Sequence, residues 1–164
     1  MKYIILIASI LALISCAPKT GNRQDLQDRI DSMEMKLKDT YKPGFGEFMS
    51  SIQAHHAKLW FAGNNQNWRL ADFEVHEITE TVGYIRKYQA ERKESQLIGM
   101  INPALDSVNT AIRQKNPALF ISSYKLLTNT CNECHRAADF GFNVVIVPET
   151  QSFGNQDFQT DKRK

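Results

Sequence analysis

Apolar residues recur every three or four positions along most of the chain, which is the spacing of one face of an α-helix. Pro43 and Gly44 interrupt the pattern and separate a short first stretch, residues 22–39, from the rest. The stretches after this break are residues 45–62, 68–92, 97–114 and 117–138, joined by short polar links. Alternation typical of a β-strand occurs only at 142–148, FNVVIVP. The sequence therefore predicts an all-α protein, an antiparallel four-helix bundle with an extra short N-terminal helix and an extended C-terminal tail.

Two asparagine–proline pairs help to place the helix starts. Asn116 and Pro117 form an N-cap and first-turn pair that opens the last helix. Asn102 and Pro103 mark either a kink within the stretch 97–114 or its true helical start.

The first fifteen residues are predicted to be a signal peptide rather than part of the fold. The segment MKYIILIASILALISC has one lysine and an apolar run that is too short to span a bilayer comfortably. Ser15 before Cys16, with Leu13 three residues upstream of that cysteine, resembles the lipobox of bacterial lipoproteins. This resemblance implies cleavage before Cys16 and a lipid anchor on it; the alternative is a plain secretory signal with an incidental cysteine. In the lipoproteins that this segment resembles, an aspartate after the cysteine is an inner-membrane retention signal. Ala17 is not aspartate, so the resemblance slightly favours the outer membrane.

Composition and charge exclude one class of partner. The chain has 164 residues, which is enough for one domain with its own core, and its formal net charge is +2. Its basic residues are spread out and do not form a face interleaved with aromatic residues, so we predict no nucleic-acid partner. No nucleophile or acid–base pair is evident, and we predict that the protein is not an enzyme.

The candidate chemistry lies in TCNECHRAADF, where Cys131 and Cys134 stand three positions apart and His135 follows directly. A structural zinc site would need four ligands, and the sequence contains no second C-x-x-C or H-x-H cluster. A thioredoxin-like dithiol would need a βαβ context, whereas the flanking sequence is helical. In an exported protein, C-x-x-C-H is the attachment signature of c-type haem. We therefore predict one covalent haem c, with thioether bonds to both cysteines and His135 as the proximal iron ligand.

The helical spacing of the last stretch places both cysteines on its apolar face, with His135 at the edge. Tyr124 and Leu127 share that face and are predicted to pack against the haem. The following segment, FGFNVVIVP, is predicted to close an apolar cover over the haem edge.

A C-x-x-C-H motif near the end of the fourth helix of an antiparallel bundle resembles the class II c-type cytochromes, the cytochrome c prime group. The resemblance covers residues 45–140 and implies thioether links at Cys131 and Cys134 and a proximal ligand at His135. It does not determine the distal side, because some members have an apolar residue there and others a first-helix methionine. The stretch 22–39 and the extension after the motif depart from the group's pattern.

The candidates for a distal ligand lie on the first bundle helix. His56 lies near the centre of the apolar stripe and is the first candidate for the sixth ligand; Met49, also inward, is the second. His55 lies at the border of the stripe, and an iron without a sixth protein ligand is the third possibility. Glu74 and Glu77 fall on the inward half of the next helix, where an ionised carboxylate needs a partner, such as a histidine ring that it orients.

These features predict a signal peptide at 1–15, a lipid-anchored helix or spacer at 16–42, a haem-binding bundle at 43–148 and a polar tail at 149–164. The predicted function is one-electron transfer between exported redox proteins, on a membrane surface that faces the periplasm. Binding or sensing of NO, CO or O₂ at an open distal site is the alternative, and a haem-free adaptor lipoprotein is the third hypothesis. The resemblance also allows a homodimer.

Overall fold

The computed structural model describes residues 20–40 and 43–160, without the side chains of residues 20–22 and 38–39. The predicted signal peptide and the predicted lipidation site Cys16 lie outside these residues, as do the last four positions of the predicted polar tail. The chain divides into two compact units, residues 1–41 and 42–164. Among the described helices, none is long and apolar enough to cross a bilayer.

The first unit contains the helix α1, Thr20–Thr40. It corresponds to the stretch predicted as helical at 22–39. Its narrow apolar stripe is exposed, with Leu26, Ile30, Met33 and Leu37 each between 44% and 69% accessible. Helix α1 therefore keeps its apolar stripe accessible along its length.

The second unit is also helical. Its elements are α2 (Phe45–Asn64), α3 (Trp68–Tyr88), α4 (Lys93–Leu97), a 3₁₀ turn (Ile98–Ile101), α5 (Asn102–Arg113) and α6 (Pro117–Ala137). The described part of the chain contains no β-strand, which confirms the predicted all-α class. The stretch 142–148, despite its alternating pattern, is irregular chain, because no second strand is present among the described residues to pair with it.

Both asparagine–proline pairs lie at the start of a helix. The Asn116 side chain accepts a hydrogen bond from the backbone N–H of Leu119 at 3.1 Å, and Pro117 begins α6. At Asn102–Pro103 the chain changes from the 3₁₀ turn to α5, so this pair marks a helical start and not a kink within one long helix.

The core of the second unit forms where α2 packs on α3, α3 on α5, α5 on α6 and α6 on α2. Across the α2–α6 contact, Gly63 lies against the ring of Phe120, which packs between Trp60 and Trp68. The largest fully buried side chains are Tyr124, Phe120, Leu59, Ile78, Ile85, Leu127, Glu74, Val75 and Val108. This packing leaves a cavity between the first half of α2 and the end of α6.

Candidate functional site

A cavity of about 440 Å³ lies between the first half of α2, the 3₁₀ turn, the end of α6 and the segment that follows α6. Five of the residues predicted from the sequence to contact haem or iron line it together: Met49, His56, Cys131, Cys134 and His135. The other lining side chains include Phe45, Ile52, Arg92, Glu94, Ile98, Ile101, Ala138, Phe140, Asn143, Val144 and Val145. The cavity is therefore mostly apolar and has polar groups at a few places.

Both cysteines are free thiols on the cavity wall. Their spacing of three residues on α6 turns them to the same side of the helix. Burial raises the pKa of Cys131 to about 12 and also raises the pKa of Cys134. Since the thiolate is the reactive form of cysteine, the folded chain keeps both sulfurs in the less reactive thiol form at neutral pH.

The ring of His135 is oriented by the chain that follows its own helix. Its Nδ1 lies 2.6 Å from the backbone carbonyl oxygen of Asn143. A carbonyl oxygen can only accept a hydrogen bond, so Nδ1 carries the proton and donates it. In the neutral ring Nε2 then has a free lone pair, which is the form that binds a metal ion.

His56 is buried, and both of its ring nitrogens already have partners. Thr128 Oγ1 lies 3.0 Å from Nε2 of His56 and 3.0 Å from the carbonyl oxygen of Tyr124. The hydroxyl of Tyr124 lies 2.9 Å from the other ring nitrogen, Nδ1, and 2.8 Å from the His56 carbonyl. Burial lowers the pKa of His56 to about 4, so the ring is neutral at pH 7. To bind iron through Nε2, the ring would have to release Thr128.

Met49 lies on the same helix as His56, half-buried, and packs against the hydrophobic core. Its side chain lines the cavity. Tyr124 and Leu127, predicted to pack against the haem, are fully buried in the core and do not line the cavity. Tyr124 instead reaches the cavity indirectly, through its hydrogen bond to His56.

The buried carboxylate of Glu74 orients a histidine, but that histidine is His55 and not His56. Glu74 Oε2 lies 2.6 Å from His55 Nδ1, and Glu77 Oε2 lies 3.9 Å from the other ring nitrogen. The second oxygen of Glu74 is buried without a hydrogen-bond partner. None of these three residues lines the cavity.

Two residues at the cavity were missed by sequence reasoning. Arg92, in the link after α3, lines the cavity, contacts the ring of Phe45 at 5.2 Å and pairs with Glu94 at 2.6 Å. Asn143 supplies the carbonyl that orients His135. No periodic pattern could identify either of them, because both lie in links whose paths depend on the packed helices.

The segment after α6 covers the cavity only in part. Phe140 and Val144 line it, whereas Phe142 is 82% exposed and Ile146 is 66% exposed. The chain reverses at Asp139, whose φ of 67° is in the left-handed region. This reversal brings residues 140–145 back along the end of α6, beside His135.

Comparison with known proteins adds no identification: no family model, curated protein or solved structure matches this chain. Within residues 20–40 and 43–160, no cluster of three or more histidine, cysteine, aspartate or glutamate side chains is arranged to hold a metal ion. The interpretation of the site therefore depends on the motif and on the geometry of the cavity.

Proposed function

We propose that this protein is a membrane-anchored monohaem c-type cytochrome that transfers single electrons between exported redox proteins and has no enzymatic activity. One observation carries the proposal. The C-x-x-C-H residues of α6 share one cavity with the two side chains of α2, Met49 and His56, that the sequence offers as distal ligands. These two sets of residues are more than 70 positions apart in the chain, so only folding brings them together.

The proposal includes a four-helix bundle as the architecture of the second unit. Each of α2, α3, α5 and α6 packs on two of the others, in the cyclic order in which they occur along the chain. Consecutive antiparallel neighbours are the topology of an up-down bundle, and such bundles hold cofactors between facing helices.

The residues present fit a covalently attached haem. Cys131 and Cys134 place two thiols on the wall of a cavity whose volume lies in the usual range for cofactor sites. Apolar side chains such as Ile98 and Ile101 would exclude water from the faces of the macrocycle. When bound, haem supplies an iron centre that gains and loses one electron.

The protein's own contribution on the proximal side is to hold His135 in one tautomer. The Asn143 carbonyl accepts the Nδ1 proton, so Nε2 is the nitrogen available to iron. On α6 the half-buried thiols are protonated, and Cys131 has the strongly raised pKa. This favours thioether formation before the bundle closes, while the C-x-x-C-H segment is still accessible.

The distal side favours Met49 over His56 as sixth ligand. His56 is held by Thr128 and Tyr124 through both ring nitrogens, whereas Met49 reaches the cavity with a thioether that can bind iron. The same observation supports a second candidate function: with His56 held away, an iron that Met49 does not bind would be open to NO, CO or O₂.

The envelope location is part of the proposal and rests on the sequence alone. The resemblance of residues 13–16 to a lipobox supports acylation of Cys16, and Ala17 supports the outer membrane, with the bundle facing the periplasm.

The attachment of haem is tested by expressing the full chain with a haem maturation system and staining a denaturing gel for haem. We expect one covalent haem per chain and complete loss in the double variant Cys131→Ser, Cys134→Ser. The matched control, Cys16→Ser, removes the remaining cysteine and should keep the haem while losing the lipid. An unmodified chain without covalent haem under these conditions would overturn the proposal.

Spin state then separates the two candidate functions. We expect low-spin iron that becomes high-spin in Met49→Ala and stays low-spin in His56→Ala, as measured by EPR and optical spectra. High-spin ferrous iron in the unmodified protein, with rapid uptake of CO, would replace electron transfer by gas binding.

A further inference from the structure

Asn132, the residue directly after the first cysteine of the motif, uses its whole side-chain amide to hold one distant backbone position. Its Nδ2 donates to the carbonyl of Val145 at 2.8 Å, and its Oδ1 accepts the N–H of Val145, also at 2.8 Å. This is the pair of hydrogen bonds that a neighbouring strand would make. Within the described part of the chain, these are the only hydrogen bonds that residues 144–148 make.

The position that Asn132 holds is two residues beyond the carbonyl that orients His135. On its N-terminal side the loop is tied down by two backbone hydrogen bonds, from Phe140 to His135 at 2.7 Å and from Asn143 to Phe140 at 2.9 Å. On its C-terminal side the hydrogen bonds to Val145 are those from Asn132. The Asn143 carbonyl is therefore fixed from both sides, and one of the two attachments is a side chain of the motif itself.

We propose that Asn132 is a positioning residue for the axial histidine. By holding Val145, it keeps the Asn143 carbonyl on Nδ1 of His135 and so selects the tautomer and ring orientation in which Nε2 can bind iron. The role of the iron in this inference rests on the function proposed above, but the selection of the tautomer does not. Residues that orient a metal-binding histidine typically change metal affinity or activity 10–100-fold when they are lost.

The chemistry of this position requires an uncharged amide. Aspartate would still accept the N–H of Val145, but its second oxygen would face the Val145 carbonyl without a proton to donate. Alanine or leucine would lose both hydrogen bonds. Asn132→Asp is thus expected to keep part of the attachment and Asn132→Ala none of it.

The first test uses the full chain produced without haem maturation. Long-range ¹⁵N–¹H NMR correlations identify the tautomer of each histidine ring. We expect His135 in the Nδ1–H form in the unmodified chain and a roughly five- to tenfold shift of the ratio toward Nε2–H in Asn132→Ala, the size expected for one hydrogen bond. His56, whose two ring nitrogens contact Thr128 and Tyr124, should keep its signal and serves as an internal reference for folding.

Asn129→Ala is the matched control, because Asn129 is exposed on the same helix, three residues earlier. Should Asn132→Ala not fold, as judged by the His56 signal, Asn132→Asp provides the second variant and should give a smaller shift in the same direction. An unchanged His135 tautomer in a folded Asn132 variant would overturn the inference.

The second test measures the reduction potential of the haem-loaded chain. A weaker Nδ1–H hydrogen bond makes the imidazole a poorer donor to ferric iron, so Asn132→Ala should have a higher potential than the unmodified protein or Asn129→Ala. Equal potentials in all three would contradict the role at the iron. If the unmodified chain binds no haem, the proposed function fails, and the NMR test still decides whether Asn132 positions His135.

Discussion

The two ends of the contact between α2 and α6 differ in how their space is filled. At one end Gly63 lets the ring of Phe120 lie directly against α2, and Trp60 and Trp68 pack around that ring. At the other end the same two helices leave a cavity of about 440 Å³. Residues that could carry chemistry line the open end, while the closed end contains the bulky aromatic residues.

Between the two ends lies the hydrogen-bonded group of His56, Tyr124 and Thr128. Tyr124 belongs to both regions, because its ring packs 4.9 Å from Trp60 and its hydroxyl bonds His56 at the cavity wall. The closed end thus supplies packing stability, and an open, partly polar cavity can lie one or two helical turns away.

The largest effect is expected from Phe120→Ala at the closed end. Phe120 is fully buried, so its loss removes transfer free energy and leaves a void. We expect the free energy of unfolding to fall by about 3–5 kcal/mol in urea denaturation. The control Phe142→Ala removes the same ring where it is 82% exposed and should change stability by less than about 0.5 kcal/mol. Similar losses for both variants would contradict the comparison.

The next largest effect is a pH dependence of stability that originates in His56, in the hydrogen-bonded group with Tyr124 and Thr128. Burial lowers the pKa of His56 to about 4, compared with 6.5 for an unperturbed histidine. Between pH 6.5 and 4 the unfolded chain binds a proton that the folded chain does not, so stability falls as the pH falls, by about 3 kcal/mol over this window. Above pH 7 this contribution is constant.

Urea denaturation at pH 7, 5.5 and 4.5 measures this dependence. His56→Gln should flatten the pH profile, whereas His76→Gln, an exposed control, should keep the profile of the unmodified chain. Identical profiles for His56→Gln and the unmodified chain would mean that His56 can gain a proton without unfolding.

The smallest effects are expected at two glycines, one packed against an aromatic ring and one with open space beside it. A methyl group at Gly63 would overlap the ring of Phe120, and we expect Gly63→Ala to lower stability by about 1–3 kcal/mol. At Gly83, in α3, a Cβ would have no atom within 4 Å beyond its two chain neighbours and the backbone of its own helix. Gly83→Ala should therefore raise stability by about 0.5–1 kcal/mol through helix propensity. Thermal unfolding of both variants checks the signs, and an unchanged or higher stability of Gly63→Ala would refute the tight fit at the closed end.

Much of the fold was predictable because it is local. The 3.6-residue periodicity located α2 and α6 to within two residues at each end, and the capping residue Asn116 marked the start of α6. In the stretch 97–114, Ile98–Ile101 forms a separate 3₁₀ turn and α5 begins at Asn102, so the helical start is the correct one of the two alternatives at Asn102–Pro103. The alternating pattern of 142–148 is typical of a strand, but the segment is irregular, since a strand needs a partner elsewhere in the chain.

The candidate site was predictable only in part. The helical positions of the residues predicted correctly that His56 faces inward and that Cys131 and Cys134 lie on one face of α6. They could not show that Tyr124 would bond His56 or that Glu74 would bond His55, since such pairs depend on the register between helices.

The sequence by itself determined the all-α class, the inward faces of α2 and α6 and the C-x-x-C-H motif, because all of these follow from the order of residues over a few turns. Only the tertiary structure decided that both ring nitrogens of His56 are occupied and that Asn132 reaches Val145 to fix the chain beside His135. The physical reason is that hydrogen bonds need two groups within about 3 Å of each other. That distance depends on how the helices and the connecting segments pack, and periodicity along the chain carries no information about it.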